Sequence, residues 1–155
     1  MRFLVVGLGS MGKRRIRNLI ALGYDAKQIG GFDLRSERCA EAESLYAIPS
    51  FESFTEAIKE FSPQAIIIST DPSFHMDYAE PAYNMGLHCF IEASVTELER
   101  IKALCKKLKD SSVVIAPSIS MRYYPGPSLI RQIIKEGLIG KPLSLNYQTG
   151  QYLPD

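Results

Sequence analysis

Arg2-Phe3-Leu4-Val5-Val6-Gly7-Leu8-Gly9-Ser10-Met11-Gly12, residues 2–12, decides the fold of this chain. A short apolar run passes straight into G-x-G-x-x-G, and helix-favouring sequence begins at Lys13. A strand that turns at once into a helix has a physical use. Gly7 permits the tight turn, Gly9 has no side chain to hold a pyrophosphate off the backbone, and Gly12 lets helix and strand pack closely. The helix start, with Ser10 and Met11 beside Gly12, offers oriented N–H groups and a partial positive charge. Glycine-rich turns are common, so the pattern is weak alone. Asp33 strengthens it. It stands about 20 residues further on, at the end of the next apolar run, where a carboxylate can accept hydrogen bonds from an adenosine ribose. The reading is a dinucleotide site; the alternative is a tight turn that binds nothing.

The remaining composition agrees with an ordinary globular domain. The chain has 155 residues, 46% hydrophobic and 23% charged, with a net charge of +1. That length suits about one domain of 100–200 residues. The charge gives no reason to expect nucleic acid or an acidic membrane surface as partner. No apolar stretch approaches the roughly 18 residues that span a bilayer. The early apolar run is also too short, and too soon broken by glycine, for a signal peptide. Cys39, Cys89 and Cys105 are odd in number and lack C-x-x-C spacing, which points to reduced thiols and a cytoplasmic setting. His75 and His88 are the only histidines, too few to nucleate a metal site.

Strand and helix alternate along the chain. The first helix, about Met11 to Leu22, directs Met11, Ile16, Leu19 and Ile20 inward and Lys13, Arg14, Arg15 and Arg17 mostly outward; that basic cluster reads as a solvated helix face, the alternative being an aid to phosphate binding. Ile29 to Asp33 reads as the second strand and Ile48 to Phe51 as a weak third, with a helix capped by Ser36 between them. Ala65-Ile66-Ile67-Ile68 shows no alternation, as a parallel strand covered on both faces requires. It ends in the loop Ser69-Thr70-Asp71-Pro72. The helix from Ser73 to Met85 contains Pro81, where a kink or break is expected. Leu87 to Ile91 is the fifth strand, ending at Glu92. Thr96-Glu97-Leu98-Glu99 has capping-box spacing before the next helix. Val113 to Ala116 is the sixth strand, and Leu129, Ile130, Ile133 and Ile134 mark a last helix closed by Gly137.

The fold class is therefore α/β, a Rossmann-type doubly wound parallel sheet in the order 3-2-1-4-5-6. The end of the chain departs from it. Leu143, Leu145, Tyr147 and Thr149 alternate with polar residues, the pattern of a half-buried strand in a one-sided antiparallel sheet. The expected organisation is a dinucleotide-binding domain over 1–120. Residues 121–155 would be a connector helix and the first strand of a truncated second, α+β domain.

The chain resembles the glucose–fructose oxidoreductase, inositol dehydrogenase and rhizopine-catabolism family (Gfo/Idh/MocA), whose members are two-domain NAD(P)-dependent sugar and cyclitol oxidoreductases. G-L-G-S-M-G-K-R-R-I-R-N-L looks like the family's opening. I-I-I-S-T-D-P-S-F-H is similar to its A-T-P-N-x-x-H segment, and N-M-G-L-H-C-F-I-E to its A-G-K-H-V-x-x-E segment. M-R-Y-Y-P through G-L-I-G-K-P-L-S looks like the transition into the substrate domain. The resemblance implies a site along the carboxyl edge of the sheet. Gly7, Gly9, Ser10, Met11 and Gly12 would hold the pyrophosphate and Asp33 the adenosine ribose. Thr70, Asp71, Pro72 and His75 would line the nicotinamide half, and Glu92 would face the nicotinamide ribose or amide. For His75 the alternative is a solvent-exposed helix start, and for Glu92 a supporting role behind the site. Arg122 and Tyr123 could touch substrate or simply pack the connector.

One departure stands out. The family usually reads E-K-P after the fifth strand, with a lysine that contacts substrate and nicotinamide; this chain reads Glu92-Ala93-Ser94. Alanine has no proton to give and no charge to place near a developing alkoxide. The catalytic residues are thus unassigned, with His75 and Glu92 as weak candidates. Two functions stay open: the cofactor domain of a dehydrogenase acting on a sugar, sugar nucleotide or cyclitol, and a non-catalytic nucleotide-binding sensor or assembly module. NAD is the expected cofactor. Asp33 would repel the 2′-phosphate of NADP, with Arg35 partly offsetting it. A homo-oligomer is expected of the parent protein.

Overall fold

β1 (Phe3–Val6) pairs in parallel with β2 (Ile29–Phe32) on one side and β4 (Ala65–Ile68) on the other. β3 (Ser50–Phe51) lies outside β2, while β5 (His88–Ile91) and β6 (Ile115–Pro117) extend the sheet beyond β4. The order β3-β2-β1-β4-β5-β6 is the doubly wound one that the sequence predicts. Val6 stands in register with both Phe32 and Ile68, so the central strands end level. The ladder continues one step past them. Gly7 N–H donates to the Phe32 carbonyl at 2.8 Å and Ser69 N–H to that of Val6 at 2.7 Å, while Glu92 N–H donates to that of Ile68 at 3.0 Å. Gly7, Asp33, Ser69 and Glu92 therefore share one rim. This computed structural model describes residues 1–93 and 96–146, with Gln148 and Gly150.

Both faces of the sheet are apolar because helices cover both. α3 (Phe54–Phe61), α4 (His75–Asn84) and α5 (Leu98–Leu108) set Ala57, Met76, Ala79 and Leu104 against Leu4, Val6, Ile66 and Ile68. On the opposite face α1 (Ser10–Ala21) and α2 (Ser36–Tyr46) bring Ile16, Leu19, Cys39 and Ala42 to Val5, Ile29 and Ile67. Each large aliphatic side chain taken fully out of water contributes about 1.5–3 kcal/mol. The inward set of α1 is narrower than expected, since Met11 and Ile20 are exposed while Ile16 and Leu19 are buried.

Local details differ from expectation for physical reasons. α4 runs through Pro81 to Asn84 without a break. The proline forfeits only its own bond to the Asp77 carbonyl, while Met76, Ala79 and Ala82 anchor the helix on both sides of it. The capping box at Thr96–Glu99 does not form. Glu97 is the N-cap of α5, without a side-chain cap, and its carboxylate accepts from Arg100 at 2.8 Å instead. Arg100 also binds Asp77 and Glu80, tying α5 to α4. His88 is structural: its Nδ1 accepts the Val114 N–H at 3.0 Å, joining β5 to the segment before β6.

Contacts divide the chain into two units, Met1–Ser118 and a second that begins at Ile119. The second holds a short 3-10 turn, Ser120–Tyr123, and α6 (Pro125–Lys135), whose Leu129, Ile130 and Ile134 are exposed. The expected terminal strand is absent over 143–146, where Leu143 and Leu145 are exposed. A strand needs a neighbour to hydrogen-bond, and the described residues of this unit offer none. Tyr147 and Thr149, the other half of that alternation, lie outside the described residues.

Thiol chemistry follows from burial. Cys39 and Cys89 are buried and Cys105 is exposed. Burial raises the Cys39 thiol above its ordinary range and pushes Cys89 up to about 12. Both shifts favour the thiol over the reactive thiolate. An aromatic disulfide reagent should therefore modify Cys105 alone in the folded chain and all three cysteines after denaturation. Rapid modification of a second thiol would contradict the core placement.

Candidate functional site

The glycine turn is fixed by sterics at two of its three glycines. Gly7 has φ +90°, a conformation disfavoured for other residues, and a Cβ there would sit 2.9 Å from the Ser69 backbone. At Gly12 a Cβ would fall 1.8 Å from the Gly7 carbonyl oxygen. Gly9 is different. It is the N-cap of α1 with φ −67° and ψ −166°, and a Cβ there would meet nothing nearer than the Arg38 guanidinium at 3.8 Å. The space above Gly9 is open, as close approach of a ligand to this backbone requires. The first intrahelical bond runs from Lys13 N–H to the Gly9 carbonyl at 3.0 Å. Ser10, Met11 and Gly12 therefore present N–H groups without helical acceptors, and no acidic side chain occupies the first turn. This cradle fits an anionic pyrophosphate.

Asp33 lies against the same turn and is buried. Its Oδ2 accepts the Leu8 N–H at 2.8 Å and Arg38 Nη1 at 3.3 Å, and its Oδ1 accepts the Arg35 N–H at 3.0 Å. From below, the single S–H of Cys39 is shared between the carbonyls of Asp33 and Phe51. A groove of about 300 Å³ opens beside Asp33, lined by Gly7, Gly9, Thr70 and Asp71 together with Leu34, Arg38, Phe74 and Tyr78. Such a volume lies at the lower end for small-molecule clefts, with apolar walls and a few placed polar groups. A larger apolar cleft of about 530 Å³ lies at the amino ends of the strands, among Phe3, Leu19, Ile67, Phe90 and Val114. Arg15 and Asn18 of α1 also line it, but no residue of the glycine turn does.

The loop after β4 is built differently from the sequence expectation. Asp71 accepts the Ser73 N–H at 3.0 Å and the Ser73 hydroxyl at 2.6 Å, capping the 3-10 turn Pro72–Phe74. Those bonds hold its carboxyl below the usual range. Pro72 opens that turn and does not line the groove. His75 is neither solvent-exposed nor in the groove. It is wholly buried at the start of α4, with Nε2 against the Thr70 carbonyl at 3.1 Å and Nδ1 without a partner among the described residues. A buried ring spanning from helix to loop positions Thr70; it does not reach outward. Glu92 is likewise engaged by the protein itself. Arg15 of α1 grips both of its oxygens, through Nε to Oε1 and through Nη2 to Oε2 at 2.9 Å, while stacking over Phe90.

Arg15 and Arg38 are the site residues that sequence reading missed. Arg15 belongs to the basic run expected to lie mostly outward, yet it stands four residues before buried Leu19 and so flanks the inward stripe. Its neighbours are partnered too, with Lys13 on Glu41 and Arg17 on Tyr46. Arg38 occupies the first turn of the helix after Asp33, a place from which a long side chain can fold back on the acid. Ala93, in the expected lysine position, is exposed.

Comparison with known proteins gives a consistent answer. The family described as "Oxidoreductase family, NAD-binding Rossmann fold" (GFO_IDH_MocA) matches residues 1–119. The scyllo-inositol 2-dehydrogenase (NAD(+)) of Bacillus subtilis is 29% identical over 92% of the chain and 42% of its own length. The UDP-N-acetylglucosamine 3-dehydrogenase of Acidithiobacillus ferrooxidans is 31% identical over 85% of the chain and 41% of its length. The structure of a Lactobacillus casei scyllo-inositol dehydrogenase with bound NAD(H) and scyllo-inositol shares the fold at a TM-score of 0.78 and 21% identity, over 90% of this chain and 42% of that one. The chain thus spans about two fifths of the length of the curated relatives it matches.

Proposed function

We propose, from the premise that the chain belongs to the Gfo/Idh/MocA oxidoreductase family with an NAD-binding Rossmann fold, that it is the cofactor-holding part of a dehydrogenase acting on a CH–OH group of a sugar, sugar nucleotide or cyclitol. The observation that carries this reading is the open backbone above Gly9 beside a buried Asp33, two anchor points on one rim. Gly7, Gly9, Ser10, Met11 and Gly12 hold the pyrophosphate through backbone N–H groups. Asp33 receives the adenosine ribose, and Thr70 and Asp71 flank the groove opposite it. Pro72 and His75 act through the loop, His75 by fixing the Thr70 carbonyl. Glu92, held by Arg15, shapes the nicotinamide end without exchanging protons. When bound, the nicotinamide supplies the hydride-accepting chemistry. Residues 1–120 form the cofactor domain, and 121–155 lead into a substrate-bearing α+β domain. A cytoplasmic, homo-oligomeric parent is part of the proposal; among the described residues no helix is long and apolar enough to cross a membrane.

NAD is preferred over NADP, since Asp33 places negative charge where NADP carries its 2′-phosphate. Calorimetric titration should give tighter NAD binding. Asp33→Ala should weaken NAD by about tenfold, the scale of one hydrogen bond to a charged group, and narrow the gap between the two. Tighter NADP binding by the parent chain would reverse the assignment.

Ala93 favours a second reading, a nucleotide-binding module without chemistry. Turnover over a panel of sugars, sugar nucleotides and cyclitols, followed by nicotinamide absorbance, separates the two. The 155-residue chain alone should bind dinucleotide but turn nothing over. General acid–base help contributes about 10²–10⁴-fold, and no group at Ala93, His75 or Glu92 is placed to give it. The same chain continued by its substrate domain should turn over; silence there selects the binding module. Turnover by the chain alone would return His75 and Glu92 to candidacy.

A further inference from the structure

We propose that Arg15 sets the oxidation-state preference of the nicotinamide end: by cancelling the charge of Glu92 it keeps the rim from favouring a cationic, oxidised ring over a neutral, reduced one. The proposal rests on the dinucleotide reading above. A dinucleotide with its adenosine ribose at Asp33 and its pyrophosphate at Gly9 has used the β2 and β1 side of the rim, and its other half runs toward β4 and β5. There the ladder continues through Ser69 and Glu92. Asp71 belongs to the groove beside Asp33, and Ala93 brings no charge. The charge met at the end of β5 is therefore that of Glu92, corrected by whatever holds it.

Arg15 holds it closely. Phe90 and Glu92 stand two residues apart, so they leave the strand on one face, where a single guanidinium meets both. Arg15 grips both carboxylate oxygens, the Nη2–Oε2 bond measuring 2.9 Å, and lies 5.0 Å from the centre of the Phe90 ring. Side-chain exposure is only 20% for Arg15 and 11% for Glu92, so water screens the pair poorly. A pair this far out of water adds little net stability, because desolvation of both ions offsets their attraction. What it fixes is the local charge, at zero. An oxidised nicotinamide ring carries one positive charge and a reduced ring none. A bare carboxylate here would draw the oxidised form, and a bare guanidinium would repel it. With the two joined, neither form gains.

The test measures dissociation constants of oxidised and reduced NAD by calorimetry at about pH 8, where free carboxyl groups are ionised. The proteins are the parent chain, Arg15→Gln, Arg15→Lys, Glu92→Gln and the double variant Arg15→Gln/Glu92→Gln. Arg15→Gln should shift the ratio about tenfold toward the oxidised form, the scale of one unpaired charge in partly screened surroundings. That shift equals a potential about 30 mV lower for the bound couple. Glu92→Gln should shift the ratio about tenfold the other way. The double variant, again neutral, should return to within about threefold of the parent, as should Arg15→Lys, which keeps the charge. A merely structural role would weaken both forms alike and leave the ratio unmoved. That result overturns the proposal, as do shifts of the same sign from the two single variants. Should Arg15→Gln fail to fold, as loss of one partner from a buried pair can cause, Glu92→Gln and the double variant decide alone. A parent that binds either form leaves the dinucleotide reading standing whatever the ratios; a parent that binds neither removes both.

Discussion

Gly12→Ala is expected to cost at least about 3 kcal/mol, the upper end for forced overpacking, and to abolish dinucleotide binding. The added methyl would lie 1.8 Å from the carbonyl oxygen of Gly7, which is backbone and not a side chain that can rotate aside. Relief requires α1 to lift from β1 or the turn to move. The turn is itself held by the Gly7 N–H bond to the Phe32 carbonyl and by its close contact with Ser69. Either movement opens the layer in which Ile16 and Leu19 pack on Val5. For a unit of this size the loss should lower Tm by more than about 10 °C. A variant that melts with the parent would show that the helix–strand approach is not what fixes this glycine.

Gly9→Val is expected to do the opposite: to lower NAD affinity by at least about a hundredfold while moving Tm by no more than about 2 °C. Its backbone angles are accessible to any residue, and the new side chain meets only Arg38, at 3.8 Å. No described residue clashes with it, and the weaker N-cap that valine makes is offset in part by its restriction of the unfolded chain. The conflict is therefore with the ligand alone, whose phosphate must approach this backbone. Calorimetry with NAD and a thermal melt on the same variant separate the two glycines. Undiminished NAD binding would remove the phosphate from this turn.

The same contrast explains how much could be read from sequence. The run of strands, their order and the glycine turn were legible because they depend on local pattern: unbroken Val and Ile runs, glycine at fixed offsets, an acid at the end of the second strand. What was missed depends on partners distant in sequence. Nothing in the local sequence around Glu92 marks a partner for it, yet Arg15 holds it from 77 residues away. His75 carries the motif position, yet whether it faces cofactor or core is decided by the loop that folds over it. The alternation after Leu143 was a sound local signal that lacks a partner strand among the described residues, and pattern alone cannot supply one.

The grip of Arg15 on Glu92 has a consequence for the cost of binding. Helix α1 belongs to the β1–β2 side of the sheet and Glu92 to the end of β5, so the ion pair crosses the point between β1 and β4 where the winding direction reverses. That reversal opens the crevice in which such sheets hold their ligands. A brace across it sets the width of the crevice before any ligand arrives. Side chains and loops that are ordered in advance lose no freedom on association, and the contacts then made appear more fully as affinity.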